Sequence, residues 1–312
     1  MNAALRNLLE GSIDYAGLFP PANLQIERAA QIFSTDKQGL YQAYLRHFVL
    51  PAKRINDFDS LRGNVLDQQW TLSILIGEGE TLHDWQASVE DAIRFIGGDG
   101  RGKSDPICAL EIALPKSIAA DECSFSQAID AIELQITKTQ LAGSDLFFET
   151  TTDNHRRVLA HVLCERQGGA SVVGLKLRTG GIAQNQFPSV NQLSECVQLC
   201  HMLKIPWKAT AGLHHPLPCV CPQTGLRMHG FLNLLFAVVL LEASLIDAEH
   251  LDDLLTDCNW EHFTFTDASM EWMGISANLD QIQSGRKRFI SFGSCSFSEP
   301  IEDLVALGLL SK

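Results

Sequence analysis

Two lysines stand in runs that otherwise read as buried strands. In GLKLRTGG (174–181), Lys176 and Arg178 alternate with Leu175 and Leu177. On an extended chain the two cations therefore share one face and the leucines the other. In IPWKATAGLHHP (205–216), Lys208 sits in a second apolar stretch. An ammonium buried alone is costly, so each lysine must be paired or must lose its proton. An ordinary lysine titrates near 10.4, leaving roughly one amine in 10³ neutral at pH 7. Burial and a neighbouring like charge both lower that value, and a drop of about three units makes the amine a usable nucleophile. Two such lysines are thus a recipe for imine chemistry, with Glu111 and Glu149 of other strand-like runs as counter-ions or acid/base groups. The same four residues also read as structural ion pairs. Spacing leaves that choice open, and with it which lysine is the nucleophile.

The neighbouring residues suggest what would be bound. Arg178 presents a fork suited to a carboxylate or phosphate, and Lys53, Arg54 and the amides of Gly180 and Gly181 extend the basic environment. The simpler role for Arg178 is an ion pair with Glu149. The expected substrate-binding set is Arg178, Thr179, Gly180, Gly181, Thr210, Gly212, His214, His215, His47 and Lys53. HHPLPCVCPQTGLRMH (214–229) supplies His214, His215, Cys219, Cys221 and His229, all competent zinc ligands. Their spacing fits no common zinc motif, and a substrate-covering loop with a histidine moving a proton is the preferred reading. No metal and no cofactor are expected. SFGSCSFSEP (291–300) lacks the G-x-S-x-G of a nucleophile elbow and reads as a turn holding Cys295 before a final helix.

The elements that must position these residues alternate. Strand-like runs fall at 12–19, 43–51, 70–77, 107–115, 145–151, 172–179 and 206–213, with HFTFTD (262–267) as the eighth. Helix-like runs follow them, including PPANLQIERAAQIFS with an asparagine cap and TLHDWQASVEDAIRFIGG with a threonine cap and a Gly-Gly stop. Near-continuous apolar strands alternating with helices predict parallel βαβ units, closed at this length as a (β/α)8 TIM barrel in the α/β class. The expected organisation is one barrel domain over 1–312 with a C-terminal extension from about 268. An open doubly wound sheet is the rival, and the absence of a G-x-G-x-x-G loop after the first strand weighs against it. FISFGSCSF (289–297) is the other candidate for the eighth strand, but the preferred reading makes ANLDQIQSGRKRFISF helical up to a stop at Gly293, followed by a loop; GGDGRGKSD (97–105) reads as a flexible loop. In a barrel the candidates above become strand-end residues of the C-terminal face, where chemistry is done.

Composition narrows the function classes. The chain has 312 residues, 46% hydrophobic and 20% charged, ample for a large core. Its formal net charge of -13 argues against general nucleic-acid or anionic-membrane binding while permitting a local basic site for a small anion. Nine scattered cysteines and an N-terminus without a secretory pattern suggest reduced thiols and a cytoplasmic location. FLNLLFAVVLLEA (231–243), interrupted by Asn233, is too short to span a bilayer and reads as a buried or subunit-facing helix, which permits a homo-oligomer.

GLKLRTGG resembles the sixth-strand motif of the deoxyribose-phosphate aldolase family, Lys-x-Ser/Thr-Thr-Gly, and KATAGL its seventh-strand motif, Lys-x-Ser/Ala-Gly-Gly-Ile. SIDYAGLFPPANLQ is similar to that family's Ile-Asp-His-Thr-x-Leu opening, and DLFFETTTD to its fifth-strand Glu-Thr segment, so the echoes cover about 12–213 in order. The resemblance implies a class I aldolase on a (β/α)8 barrel, with Lys176 forming the Schiff base and Lys208 lowering its pKa. The departures are Ala113, where the family has an acid/base aspartate, Arg178, where the motif has a small polar residue, and GSCS (293–296), only a loose match to its phosphate loop. The expectation is therefore an aldolase-like carbon–carbon lyase, or related carbonyl enzyme, on a different and anionic small substrate. The alternatives are a metal-dependent isomerase or hydrolase using His47, Glu111, His214 and His215, and a non-catalytic small-anion-binding barrel.

Overall fold

Seven of the eight expected strands lie where the sequence places them. The structure, a computed structural model, describes residues 2–61, 69–79, 81–98, 105–119, 121–149, 153–181, 183–221 and 225–311. Most of the glycine-rich stretch expected as a loop, 99–104, lies outside the described residues. The barrel strands are β1 (Ile13–Tyr15), β2 (Leu45–Pro51), β3 (Leu72–Ile76), β4 (Ile107–Ala113), β5 (Asp145–Glu149), β6 (Val173–Arg178), β7 (Trp207–Thr210) and β8 (Phe289–Ser294). They pair in sequence order and close into a barrel. Every pairing is parallel, from β1–β2 round to β8–β1. This is a (β/α)8 TIM barrel of the α/β class.

The eighth strand corrects the sequence reading. HFTFTD does contain a strand, Phe263–Phe265, but it pairs antiparallel with Ser269–Trp272, which pairs in turn with Ile275–Asn278. These form a three-stranded sheet separate from the barrel. The helix expected to run on to Gly293 stops at Arg288, and the barrel closes with residues inside the stretch read as a C-terminal extension. Phe289, Ile290 and Phe292 favour a pleated, half-buried surface over a helix. Gly293 sits in register with Thr210, where a Cβ would lie 3.4 Å from the Thr210 hydroxyl.

Alternation sends one side of each strand outward. Tyr15 and Phe48 pack with Phe33, Phe58 and Trp70, ring centroids 4.7 Å apart for Phe33–Trp70 and 5.8 Å for Tyr15–Phe48. This aromatic layer seals β1 and β2 against the helices Ile26–Asp36 and Ile55–Asp59. The first of these begins at Gln25 with no side-chain cap, and Asn23 instead occupies a left-handed turn, φ 45. The threonine cap is present, Thr81 accepting from the Asp84 amide at the head of Leu82–Gly97. The helix Phe231–Glu242 is buried within the chain itself. Gly285 lets Leu279–Arg288 close on it, since a Cβ there would stand 2.7 Å from Val239 Cα. Among the described residues no helix is long and apolar enough to cross a membrane.

The reassigned eighth strand is testable by truncation. Removing residues 289–312 is expected to abolish the cooperative thermal transition, because β1 and β7 lose their common neighbour. Had Phe263–Phe265 been the closing strand, the shortened chain would still unfold cooperatively.

Candidate active site

The inward faces of the strands carry charge where TIM barrels ordinarily stack branched apolar side chains. Register places Lys176 beside Lys208 on β6 and β7, and Glu149 beside Lys176 on β5 and β6. Glu111 of β4 joins the two lysines, one oxygen to each. Its Oε2 lies 2.8 Å from Lys176 Nζ and its Oε1 2.6 Å from Lys208 Nζ. The Ser73 hydroxyl of β3 donates to the same Oε1 at 2.6 Å. Lys176 also donates to Glu149 Oε2 at 2.8 Å, and Arg178 Nε to Glu149 Oε1 at 3.0 Å. Lys208 continues to Asp14 Oδ2 of β1 at 2.7 Å, and Ser291 of β8 donates to that oxygen at 2.5 Å. The result is one chain of alternating charge, Arg178–Glu149–Lys176–Glu111–Lys208–Asp14, with three cations balancing three carboxylates. Asp14, Glu111, Glu149, Lys176 and Lys208 are all buried, whereas the Arg178 side chain at the mouth is 36% exposed.

The electrostatics follow from that order. Burial alone would raise the carboxylates, but Lys208 holds Asp14 below its ordinary range, and Lys176 and Lys208 together hold Glu111 far below. Glu149 is likewise lowered, burial being outweighed by Lys176 and Arg178. Burial alone would lower Lys176, yet Glu111 and Glu149 overcome it and the net direction is up. The expectation that Lys208 depresses Lys176 is thereby corrected. Glu111 stands between the two amines, so each sees a carboxylate before it sees the other lysine, and the two carboxylates on Lys176 favour its charged form.

The mouth is shaped by the turns after β6 and β7. The Thr179 amide and hydroxyl are spent on carbonyls there, the amide reaching Thr210 O at 2.9 Å and the hydroxyl Ala211 O. Ala211 and Gly212 adopt left-handed φ of 60 and 76, and a Cβ on Gly180 would come within 2.6 Å of Gly212 Cα. Gly180 and Gly212 therefore bring the two turns together, while Gly181 packs on Gln186. Thr210 is in register with Arg178 at the rim.

Other predicted residues lie elsewhere. His47, expected at the mouth, is third in β2 and faces the opposite end of the barrel, its Nδ1 2.8 Å from the Thr71 hydroxyl ahead of β3. Its amide donates to Asp14 Oδ1 at 3.2 Å, and burial, only partly offset by Asp14, lowers its pKa to about 4. Lys53 forms an exposed pair with Glu78 at 2.9 Å and does not enter the charge chain. His214 lies 3.1 Å from Glu299 and 3.9 Å from the Cys295 sulfur. Burial would lower its pKa, but these two neighbours raise it to about 9. His215 pairs with Asp303 at 2.7 Å. His229 meets the Pro188 carbonyl at 2.8 Å. The metal reading needed His47, Glu111, His214 and His215 together. They sit in three separate environments, and among the described residues no group of three or more metal-ligating side chains converges.

Asp14, Ser73, Ser291 and Glu299 are the site residues that the candidate set lacks. Asp14 carried the same signal as Lys176, a charge alternating with apolar residues in a strand. The serines carried none. No family model and no curated protein matches this chain.

Two measurements probe the charge chain. Replacing Glu111 by Gln strands both lysines with one carboxylate each and is expected to cost about 3–5 kcal/mol in denaturant unfolding. Asp14, Glu111 and Glu149 are depressed on folding from ordinary values of 3.8 and 4.5. Their contribution is therefore complete above about pH 4.5 and is lost as pH falls through the folded values. Lys176 is raised from 10.5, so its share is complete below that pH and is lost as pH rises through the folded value. A stability–pH profile should show a plateau with losses on both sides, and Lys176→Met should remove the alkaline loss.

Proposed function

We propose that this protein is a carbonyl enzyme, aldolase-like in chemistry, that forms an imine between Lys176 and a small anionic substrate. The observation that carries the reading is the position of Lys176. It is a strand-end amine of a barrel, hydrogen-bonded to Glu149, whose other oxygen holds the half-exposed Arg178. Both amines meet two carboxylates, but only the Lys176 pair leads through Glu149 to Arg178 at the mouth, whereas Lys208 leads inward to Asp14; this favours Lys176 as the nucleophile and gives Lys208 the role of fixing Glu111. Glu149 is placed to take and return a proton, and Arg178 to anchor the substrate's anion. The four motif echoes of deoxyribose-phosphate aldolase support a shared chemistry. Ala113 and Arg178, which depart from that pattern, support a different substrate.

The second reading, a non-catalytic anion-binding barrel, is favoured by the closure of both amines by carboxylates. Sodium borohydride with a panel of aldehydes and ketones, read by peptide mass spectrometry, separates the two. The imine reading expects a reduced adduct on Lys176 with at least one compound, loss of adduct and turnover in Lys176→Met, and a fall of about 10²–10⁴-fold in rate in Glu149→Gln. Ligand binding without any adduct supports the second reading and overturns the first.

A further inference from the structure

The chain of charges explains how an ammonium could become a nucleophile on demand. Glu149 spans Lys176 and Arg178 with one carboxylate, Oε2 at 2.8 Å from the amine and Oε1 at 3.0 Å from Arg178 Nε. The reacting amine and the anion anchor are therefore bridged by a single carboxylate. Lys176 is closed in by Glu111 and Glu149, whereas the Arg178 side chain is 36% exposed and, among the described residues, its two Nη groups have no partner. An incoming anion meets Arg178 first.

Resting on the imine reading above, we infer that the substrates are 2-oxo acids, and that the substrate carboxylate itself switches the nucleophile on by drawing Arg178 away from Glu149. An anion directly bonded to the carbonyl carbon suits a bridge this short. A phosphate ester would carry its charge several bonds from the reacting centre. Once Arg178 turns to the substrate, Glu149 loses one of the two cations that depress it and becomes a stronger base. A proton then passes from Lys176 Nζ to Glu149 Oε2. The neutral amine attacks C2, the C–N bond forms, and the carbonyl π pair moves to oxygen, which takes a proton from the attacking nitrogen. Glu149 returns its proton to that hydroxyl, water leaves, and a cationic imine and an ionised Glu149 remain. The sum is ammonium plus ketone giving iminium plus water, with no other reactant needed. Without an anion, Glu149 stays on Arg178 and Lys176 stays protonated, so neutral carbonyl compounds are ignored.

The test compares carbonyl pairs that differ only in the carboxylate, pyruvate against acetone and 2-oxobutyrate against butanone. Each is trapped with borohydride on the full chain and quantified at Lys176. Ratios are normalised to those on Nα-acetyl-lysine, which removes intrinsic electrophilicity. The expected result is at least about a tenfold normalised preference for the 2-oxo acids in the unaltered protein. In Arg178→Gln that preference should collapse, and in Arg178→Lys, which keeps the charge but lacks the fork, it should return in part. Equal normalised trapping of acid and ketone in the unaltered protein overturns the substrate class while leaving the imine reading intact, and needs no variant to fold. Absence of any Lys176 adduct across all four compounds and the aldehyde panel overturns the imine reading and this inference with it.

Discussion

The structure turns on a single carboxylate. Glu111 gives one oxygen to each of two buried lysines, and without it two ammonium groups would face each other in a dry interior. Breaking a buried pair of this kind costs about 3–5 kcal/mol, a large share of the net stability of a domain. The other charged positions follow from that constraint. Each lysine takes a second carboxylate, Glu149 or Asp14, and the surplus on Glu149 is met by Arg178. Serines from β3 and β8 add a second donor to the two oxygens that Lys208 holds, Glu111 Oε1 and Asp14 Oδ2. A barrel centre filled in this way gives up apolar packing, and ion pairs of this kind seldom add net stability over a hydrophobic filling.

The scaffold and the chemistry were unequally legible in the sequence. Seven strands could be read because their apolar runs are bounded by polar and glycine-rich turns, and βαβ alternation then predicts closure. The eighth was misplaced because FTF and FISF have the same local character. What separates them is long-range, namely which one finds the gap between β1 and β7, two strands far apart in the sequence. Lys176, Glu111 and Glu149 could be named as a set because a charge in an apolar strand has to be paired. The sequence could not say in what order they meet. With Glu111 between the lysines, the sign of the Lys176 shift is opposite to that expected from two neighbouring ammonium groups.

His47 and Lys53 show a second limit. Both are basic residues in or just after a strand, yet position along the strand and depth decide their fate. His47 is two residues inside the wrong end, and Lys53 is just beyond the right end but out on the surface with Glu78. Residue type marks a candidate, and only register assigns it to a face. His214 does follow β7, but its partners Glu299 and Cys295 come from the segment after β8, which local sequence character does not mark as a neighbour.

The late position of β8 has a consequence for how the chain is made. β8 pairs with β7 on one side and with β1, at the opposite end of the chain, on the other. While the polypeptide is emerging from the ribosome, the first seven strands have no closing partner, and the edges of β1 and β7 are open to water and to other chains. Those two edges carry Asp14 and Lys208. During that interval a charged residue on each exposed edge discourages strand addition by a neighbour. The same two residues, once β8 arrives, become the buried pair across the seam. Closure thus buries together the two charges that the edges of the unfinished barrel expose.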